Sequence, residues 1–259
     1  MRRKFFMKSL NTCLLIIACL VGSMLCGESS TLEQAHNSYK KGEAADNFLE
    51  RSQAFNQSLT LYKTLEKRSQ NPNLLYNIGN NYYQLSEYSW ARWYYERALL
   101  QSPRNEKILY NLALTKEKLG LNEEKNFLFS APLLNLSIYE KSLLLVLFFA
   151  FAVLLNSINL CLSKKKIVYS LQISILLCLI TCMSLVYDYY LAPVQGIVMH
   201  ASNLHRDAGA HYALVQDDPV LEGTRLRVLG IDKESSWVQV LTLTGEIAYL
   251  PQESIRLVD

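Results

Sequence analysis

The chain has 259 residues, of which 50% are hydrophobic and 19% are charged, and its formal net charge at pH 7 is +3. This length accommodates two modest domains, or one domain together with membrane segments. The small net charge and the absence of a Lys/Arg stripe with interleaved aromatic residues argue against a nucleic-acid partner. Hydrophobic residues concentrate at the N-terminus and in residues 142–187, which favours bilayer segments over one large soluble core.

The cysteines occur only in the apolar stretches of the sequence. The remaining regions contain none, as expected for a chain exported to an oxidising compartment, although cysteine is also simply an uncommon residue. The pattern contains no disulfide framework and no zinc signature, and no cofactor is expected. The six positions are Cys13, Cys19, Cys26, Cys161, Cys178 and Cys182.

Residues 1–27 have the three-part layout of a secretory signal peptide. A basic start precedes an apolar run from Leu14 to Leu25, and small residues follow this run. Two alternatives stay open, namely a retained N-terminal anchor and lipidation of Cys26 after cleavage. Lipidation is disfavoured because Leu25 stands directly before Cys26, where a small residue is expected.

Residues 28–126 are predicted to form helical repeats of the tetratricopeptide type. Residues 72–105 fit one repeat of about 34 residues. Small residues stand where two helices would approach closely, large residues stand between helices, and a proline follows the second helix. The matching positions are Leu75, Ile78, Gly79, Tyr82, Ala91, Tyr95, Ala98 and Pro103.

A second register follows about 34 residues later. Tyr76 recurs as Tyr110, so residues 106–119 are predicted to form another first helix. With a further helix pair upstream, the array has about two and a half repeats, which is near the minimum for stability. The upstream helices are predicted at residues 31–42 and 54–68, on either side of a polar insertion at residues 44–51.

The concave face of such an array is predicted to bind a peptide or protein. Asn80 and Asn111 resemble part of a clamp that holds a C-terminal carboxylate in some repeats, but Tyr76 stands where that clamp has lysine. Carboxylate capture, generic peptide binding and a purely architectural role are the alternatives. The residues of this predicted groove are Asn73, Tyr76, Asn80, Tyr83, Lys107, Tyr110, Asn111 and Leu114.

Two membrane-spanning helices are predicted at residues 142–162 and 167–187. Each run has about 21 uncharged residues, enough to cross the roughly 30 Å hydrocarbon core. Residues 163–166 form a short turn with three lysines, which the positive-inside rule places in the cytoplasm. Both flanking regions then lie outside the cytoplasm, on the side to which a signal peptide exports. A two-pass protein of the bacterial inner (cytoplasmic) membrane follows, with its other domains in the periplasm.

Residues 127–141 precede the first predicted span and are apolar but interrupted by Pro132. They are predicted to form an interfacial segment that lies on the bilayer surface. A packed cap on the preceding helix is the alternative.

Residues 194–259 contain short runs of alternating apolar residues, which predict a small all-β barrel. Thr244-Gly245 predicts a tight turn between the last two of these runs. His200, His205 and His211 are irregularly spaced, which argues against a metal site. The runs are residues 196–199, 224–229, 237–241 and 246–251.

The order of these runs resembles bacterial SH3-like domains, although that family usually has Gly-Trp where this chain has Ala248-Tyr249. Together with repeats that contain YNIGNNYY and ARWYYERAL, the signal peptide and the basic-turn hairpin, the chain resembles the BatE family of aerotolerance proteins. The resemblance implies a scaffold in a cell-envelope complex with von Willebrand A-type proteins and a MoxR-type ATPase.

The expected fold is therefore mixed and multi-domain, with tetratricopeptide repeats, a two-helix transmembrane hairpin and a small SH3-like barrel. The sequence contains no GxSxG, phosphate-loop or HExxH motif, so a non-enzymatic role is expected. The expected partners are cell-envelope proteins and the lipid bilayer. An alternative is a cell-wall or glycan-binding module, with the SH3-like domain binding peptidoglycan.

Overall fold

The structure, a computed structural model, describes residues 30–121, 136–162, 165–232, 236–242 and 244–258. The chain forms two compact units, one that ends at Glu87 and one that begins at Tyr88. The predicted signal peptide, most of the predicted interfacial segment and half of the predicted cytoplasmic turn lie outside the described residues.

Helices make up the described part of the first unit. They are α1 (residues 30–44), α2 (Phe48–Glu66) and α3 (Pro72–Gln84). Helix α2 begins inside the stretch predicted as a polar insertion, because the Asn47 side chain caps it by accepting from the Leu49 N–H across 2.9 Å.

The core of the first unit is built around Phe55 of α2, which is fully buried. The Tyr39 ring of α1 packs edge-on against the Phe55 ring, with the centroids 5.2 Å apart. A Cβ atom at Gly42 would lie only 2.8 Å from the Phe55 ring, so glycine permits this close approach of α1 and α2. The buried Ser58 hydroxyl donates to the Ala35 carbonyl across 2.9 Å, which adds a polar link between the same two helices.

The second unit begins with α4 (Tyr88–Gln101) and α5 (Glu106–Lys118), which pack against each other. Helix α5 begins 34 residues after α3, and both helices have 13 residues. An asparagine caps each of them, Asn71 before α3 and Asn105 before α5, by accepting backbone N–H groups of the first turn. The residues of α4 that the repeat pattern places between helices are buried, namely Ala91, Tyr95 and Ala98.

Two long apolar helices follow, α6 (Ile138–Leu162) and α7 (Lys165–Val186), and α7 continues as a π-helical turn over Tyr187–Leu191. They pack against each other, and both are long and apolar enough to cross a membrane. The two predicted apolar helices are thus confirmed. Each begins slightly before its predicted start, at Ile138 rather than residue 142 and at Lys165 rather than residue 167.

An antiparallel five-stranded sheet forms the C-terminal part of the second unit. Its strands are β1 (Val194–Val198), β2 (Arg225–Asp232), β3 (Trp237–Leu241), β4 (Ile247–Pro251) and β5 (Ile255–Val258). Their order in the sheet is β4-β3-β2-β1-β5, and the register of β2 against β3 shifts at a bulge between Val228 and Gly230. Gly245 adopts a positive φ of 85° in the β3–β4 turn, as the Thr244-Gly245 pair predicted.

Alternating side chains of the strands form the core of this sheet. Val238 and Val240 of β3 and Ala248 and Leu250 of β4 are all buried, while their neighbours along each strand are more exposed. The sequence-based expectation of helices followed by a C-terminal β-domain is confirmed at this level. The tetratricopeptide and SH3-like assignments stay predictions.

Candidate functional site

The groove residues that were predicted on α3 lie outside the buried face of that helix. Leu74, Leu75 and Ile78 are buried, whereas Asn73 is exposed and the other three predicted groove residues are half-buried. This separation is what a helix with one packed face requires. The half-buried residues are Tyr76, Asn80 and Tyr83.

The α5 half of the predicted groove presents two exposed side chains, Lys107 and Tyr110, and two half-buried ones, Asn111 and Leu114. Tyr110 is 65% exposed, which leaves the apolar area of its ring open to a partner. Helix α3 belongs to the first unit and α5 to the second, and the idea that both line one groove stays a prediction.

A contact between α4 and the β-sheet was not anticipated from the sequence. The Trp93 indole Nε1–H donates to the Leu257 carbonyl of β5 across 2.6 Å. One residue earlier on β5, the Arg256 guanidinium carbon lies 5.8 Å from the centroid of the Trp90 ring, within cation–π range. The tryptophans of α4 therefore serve as a docking surface for β5 within the second unit.

A carboxylate reinforces this contact. Glu96 of α4 is almost fully buried, and one of its oxygens accepts from the Arg92 Nε across 3.1 Å. Its other oxygen accepts from the Arg225 Nη2 of β2 across 2.6 Å. A buried carboxylate needs such partners, since an uncompensated buried charge is costly. The Arg92–Glu96 spacing of four residues was a visible helix signal, but nothing in the sequence pointed to Arg225.

Half-buried aromatic side chains lie together on the β-domain, and we call His205, Trp237 and Tyr249 the aromatic surface. The His205 and Trp237 rings meet edge-on with their centroids 5.2 Å apart, and His205 pairs with Tyr249 through backbone hydrogen bonds. The Gln239 amide donates to the Tyr249 hydroxyl across 2.9 Å. In the described part of the chain, no three His, Cys, Asp or Glu side chains are placed to hold a metal ion.

Ion pairs hold the end of the apolar hairpin where α6 begins and α7 has ended. Lys141, whose side chain is buried, pairs with Asp188 in the π-helical turn. Arg104, in the connection between α4 and α5, pairs with Glu140 at the start of α6. Exposed tyrosines mark the same end, as is typical of a membrane–water interface. They are Tyr139, Tyr187, Tyr189 and Tyr190.

The first unit contains three tyrosines whose ionisation is perturbed. Burial raises the pKa of Tyr39, Tyr62 and Tyr82 above the usual value of a phenol. A hydrogen bond with Gln84 opposes the effect at Tyr39. The raised pKa values reflect the burial of these phenols in the first unit.

No protein-family model, curated protein or solved structure matches this chain.

Proposed function

We propose that this chain is a membrane-anchored, non-enzymatic adaptor of the cell envelope, similar to the BatE family, that binds protein partners through its helical repeats. The observation that carries the proposal is the repeated helix. Helices α3 and α5 have equal length, begin 34 residues apart and have the same capping residue, as expected for a tetratricopeptide array. The partners that the family resemblance implies are von Willebrand A-type proteins and a MoxR-type ATPase.

Exposed side chains on the predicted groove supply the recognition surface in this proposal. Tyr110 and Lys107 are both exposed on α5, and tyrosine commonly contributes a disproportionate share of binding energy at protein interfaces. Lys107 adds a positive charge beside the ring, which favours an acidic or carboxylate-bearing segment of the partner.

A photo-crosslinker at position 110 tests the adaptor proposal in intact cells. Benzoylphenylalanine in place of Tyr110 should give a discrete adduct with the mass of a second protein. The matched control is Tyr169 of the apolar hairpin, which is 63% exposed against 65% for Tyr110 but would face lipid. Failure to form an adduct at position 110, or the same adduct at position 169, would contradict the proposal.

The contact between α4 and the sheet supports a two-pass topology in the inner membrane. Helix α4 precedes both apolar helices and β5 follows them, so Trp93 reaches Leu257 only if both lie on one side of the bilayer. The lysines at 164–166 favour the cytoplasm for the turn, which leaves the periplasm for the rest.

Reporter fusions test this topology. A reporter fused after Asp259 should be active only outside the cytoplasm, and one inserted at Lys165 only inside it. Replacing the lysines at 164–166 by neutral residues should scramble the orientation, since they supply the retention signal. Cytoplasmic activity of the C-terminal fusion would exclude the two-pass arrangement.

The aromatic surface favours a second candidate function, which is binding of peptidoglycan by the β-domain. Half-buried rings of Trp237 and Tyr249, with the Gln239 amide beside them, offer apolar faces and hydrogen-bonding edges that suit a sugar ring. The full chain should then co-sediment with purified peptidoglycan, and Trp237→Ala should weaken this association. Co-sedimentation that Trp237→Ala leaves unchanged would argue against the aromatic surface as the binding site.

A further inference from the structure

A cavity of about 340 Å³ lies in the second unit, between the end of α5 and the β-domain. Gly120 and Leu121 line it on the helical side, and Leu204, Val220 and Leu221 are among the apolar residues that line it on the other side. The volume falls in the range of roughly 300–1,000 Å³ that is usual for small-molecule sites. No part of the predicted groove or of the aromatic surface contributes to it.

Arg225 of β2 is the charged residue of the cavity wall. Its Nη2 donates to Glu96, but its Nε is buried and has no hydrogen-bond partner among the described residues. A buried donor without an acceptor is unfavourable, and more so on a cation. The Arg225 side chain is nevertheless 39% exposed, and Glu96 engages only its Nη2. The wall thus combines apolar area with one partly exposed guanidinium group.

The other polar groups of the wall are largely occupied. The Thr242 and Thr244 hydroxyls hydrogen-bond to each other across 2.8 Å, and the Thr242 hydroxyl also accepts from the Glu246 N–H. The Gln216 amide donates to the Asp218 carbonyl across 2.7 Å. Arg225 is therefore the charged group that this wall offers for polar recognition.

We propose that this cavity binds a small apolar molecule that carries a carboxylate. The apolar wall favours a hydrocarbon portion, since burial removes it from water. The guanidinium favours a carboxylate because it stays charged at all physiological pH values and its donors match the geometry of that group. A fatty acid and the last residue of a hydrophobic peptide share this chemistry, and both are compatible with the cavity.

Calorimetric titration of the full chain in lipid nanodiscs tests the proposal. The probes are octanoate for a fatty acid and N-acetylleucine for a peptide terminus, each compared with a neutral counterpart, octanol and N-acetylleucinamide. We expect saturable binding of the acids, at least about 10-fold tighter than that of their neutral counterparts, as the loss of a charge-assisted hydrogen bond implies. The acid that binds more tightly identifies the source.

Paired variants locate the binding. Arg225→Gln should weaken acid binding by about 10-fold or more, whereas Arg227→Gln, on the same strand but exposed and outside the cavity wall, should not. Leu221→Trp should fill the cavity and abolish saturable binding of every probe. Any signal that remains in this variant measures the partition of the probe into the lipid. Leu221 lines the cavity and is 55% exposed, so a larger side chain can be placed there without displacing the buried core. Leu229→Trp, at a 43% exposed position outside the cavity, is its control.

Four results would overturn the proposal. They are the absence of saturable binding of either acid, equal affinity for acid and neutral probes, acid binding that Arg225→Gln leaves unchanged, and binding by the Leu221→Trp variant that matches the unmodified chain. Arg225→Gln would also break the pair with Glu96 and could disturb folding. In that case the comparison of Leu221→Trp with Leu229→Trp still tests whether the acids bind in the cavity, because both variants keep Arg225.

Discussion

Replacing Trp93 by phenylalanine perturbs the contact between α4 and the sheet at a single hydrogen bond. Phenylalanine retains a ring beside Arg97, whose guanidinium carbon lies 4.5 Å from the Trp93 ring centroid, but it removes the N–H that donates to Leu257 across 2.6 Å. The loss of one such bond costs about 0.5–1.5 kcal/mol, and up to about 3 kcal/mol where the acceptor keeps no partner. We therefore expect the contact to weaken by about 1–2 kcal/mol.

Hydrogen–deuterium exchange of the full chain in nanodiscs measures this effect at β5 (Ile255–Val258). A loss of about 1–2 kcal/mol corresponds to exchange that is about 5- to 30-fold faster, provided that the amides exchange when the contact opens. Trp237→Phe makes the same chemical change on β3, away from α4, and should leave β5 unaffected. Unchanged exchange in the Trp93 variant, or equal acceleration in the control, would refute the conclusion that this hydrogen bond stabilises the contact between α4 and β5.

Three further predictions concern stability. Ala91 is fully buried, so Ala91→Leu should overpack the core at α4, reduce the free energy of unfolding by about 1–3 kcal/mol and lower the Tm. An unchanged Tm would show that the repeat register is wrong. Burial raises the pKa of Tyr62. The Tyr62 phenol of the unfolded chain ionises near pH ~10, so burial of the neutral phenol stabilises the fold fully below that pH, and this stabilisation is lost as the pH rises through the raised pKa of the folded chain. Melting against pH should therefore show a smaller alkaline loss in Tyr62→Phe, and an identical loss would contradict this. Gly223→Ala should destabilise by more than Gly245→Ala in denaturant unfolding, since both have positive φ but only at Gly223 would a Cβ meet the Leu119 side chain; equal losses would place Leu119 elsewhere.

The sequence was most informative where a single local pattern determines structure. Two uncharged runs of about 21 residues have few stable forms other than apolar helices, and both helices are present. The 34-residue offset likewise located α5. Helices that occupy the same place in successive repeats pack in the same way and therefore need similar residues at a spacing of about 34 positions. The β3–β4 turn followed from Thr244-Gly245, since glycine readily adopts the positive φ that such a turn requires.

The start of α2 was placed too late, although its signal was present. Asn47, followed three residues later by Glu50, is a common start of a helix, and the Asn47 side chain caps α2 in the structure. The polar composition of residues 44–51 was interpreted as an insertion instead. A cap whose helix begins with exposed residues is easily taken for a loop, because no apolar periodicity marks the first turn.

The contacts of Trp93 and Arg225 could not have been predicted from the pattern. Trp93 and Leu257 are 164 positions apart, and the acceptor is a backbone carbonyl that any residue would supply. Arg225 pairs with Glu96 over 129 positions. The cavity shares this limitation, since its walls come from the end of α5 and from separate parts of the β-domain. Periodicity and spacing describe one element at a time.

The long separation between Trp93 and Leu257 has a consequence for biogenesis. In the two-pass arrangement that we propose, α4 would be exported well before β5 is synthesised, and both apolar helices would enter the bilayer in between. During that interval the tryptophans of α4 would lack the sheet that later covers them, and their exposed rings would be open to chaperones outside the cytoplasm. Completion of β5 would then cover these rings. In a chain whose C-terminus stays in the cytoplasm the rings would stay exposed, which would distinguish it physically from a correctly inserted copy.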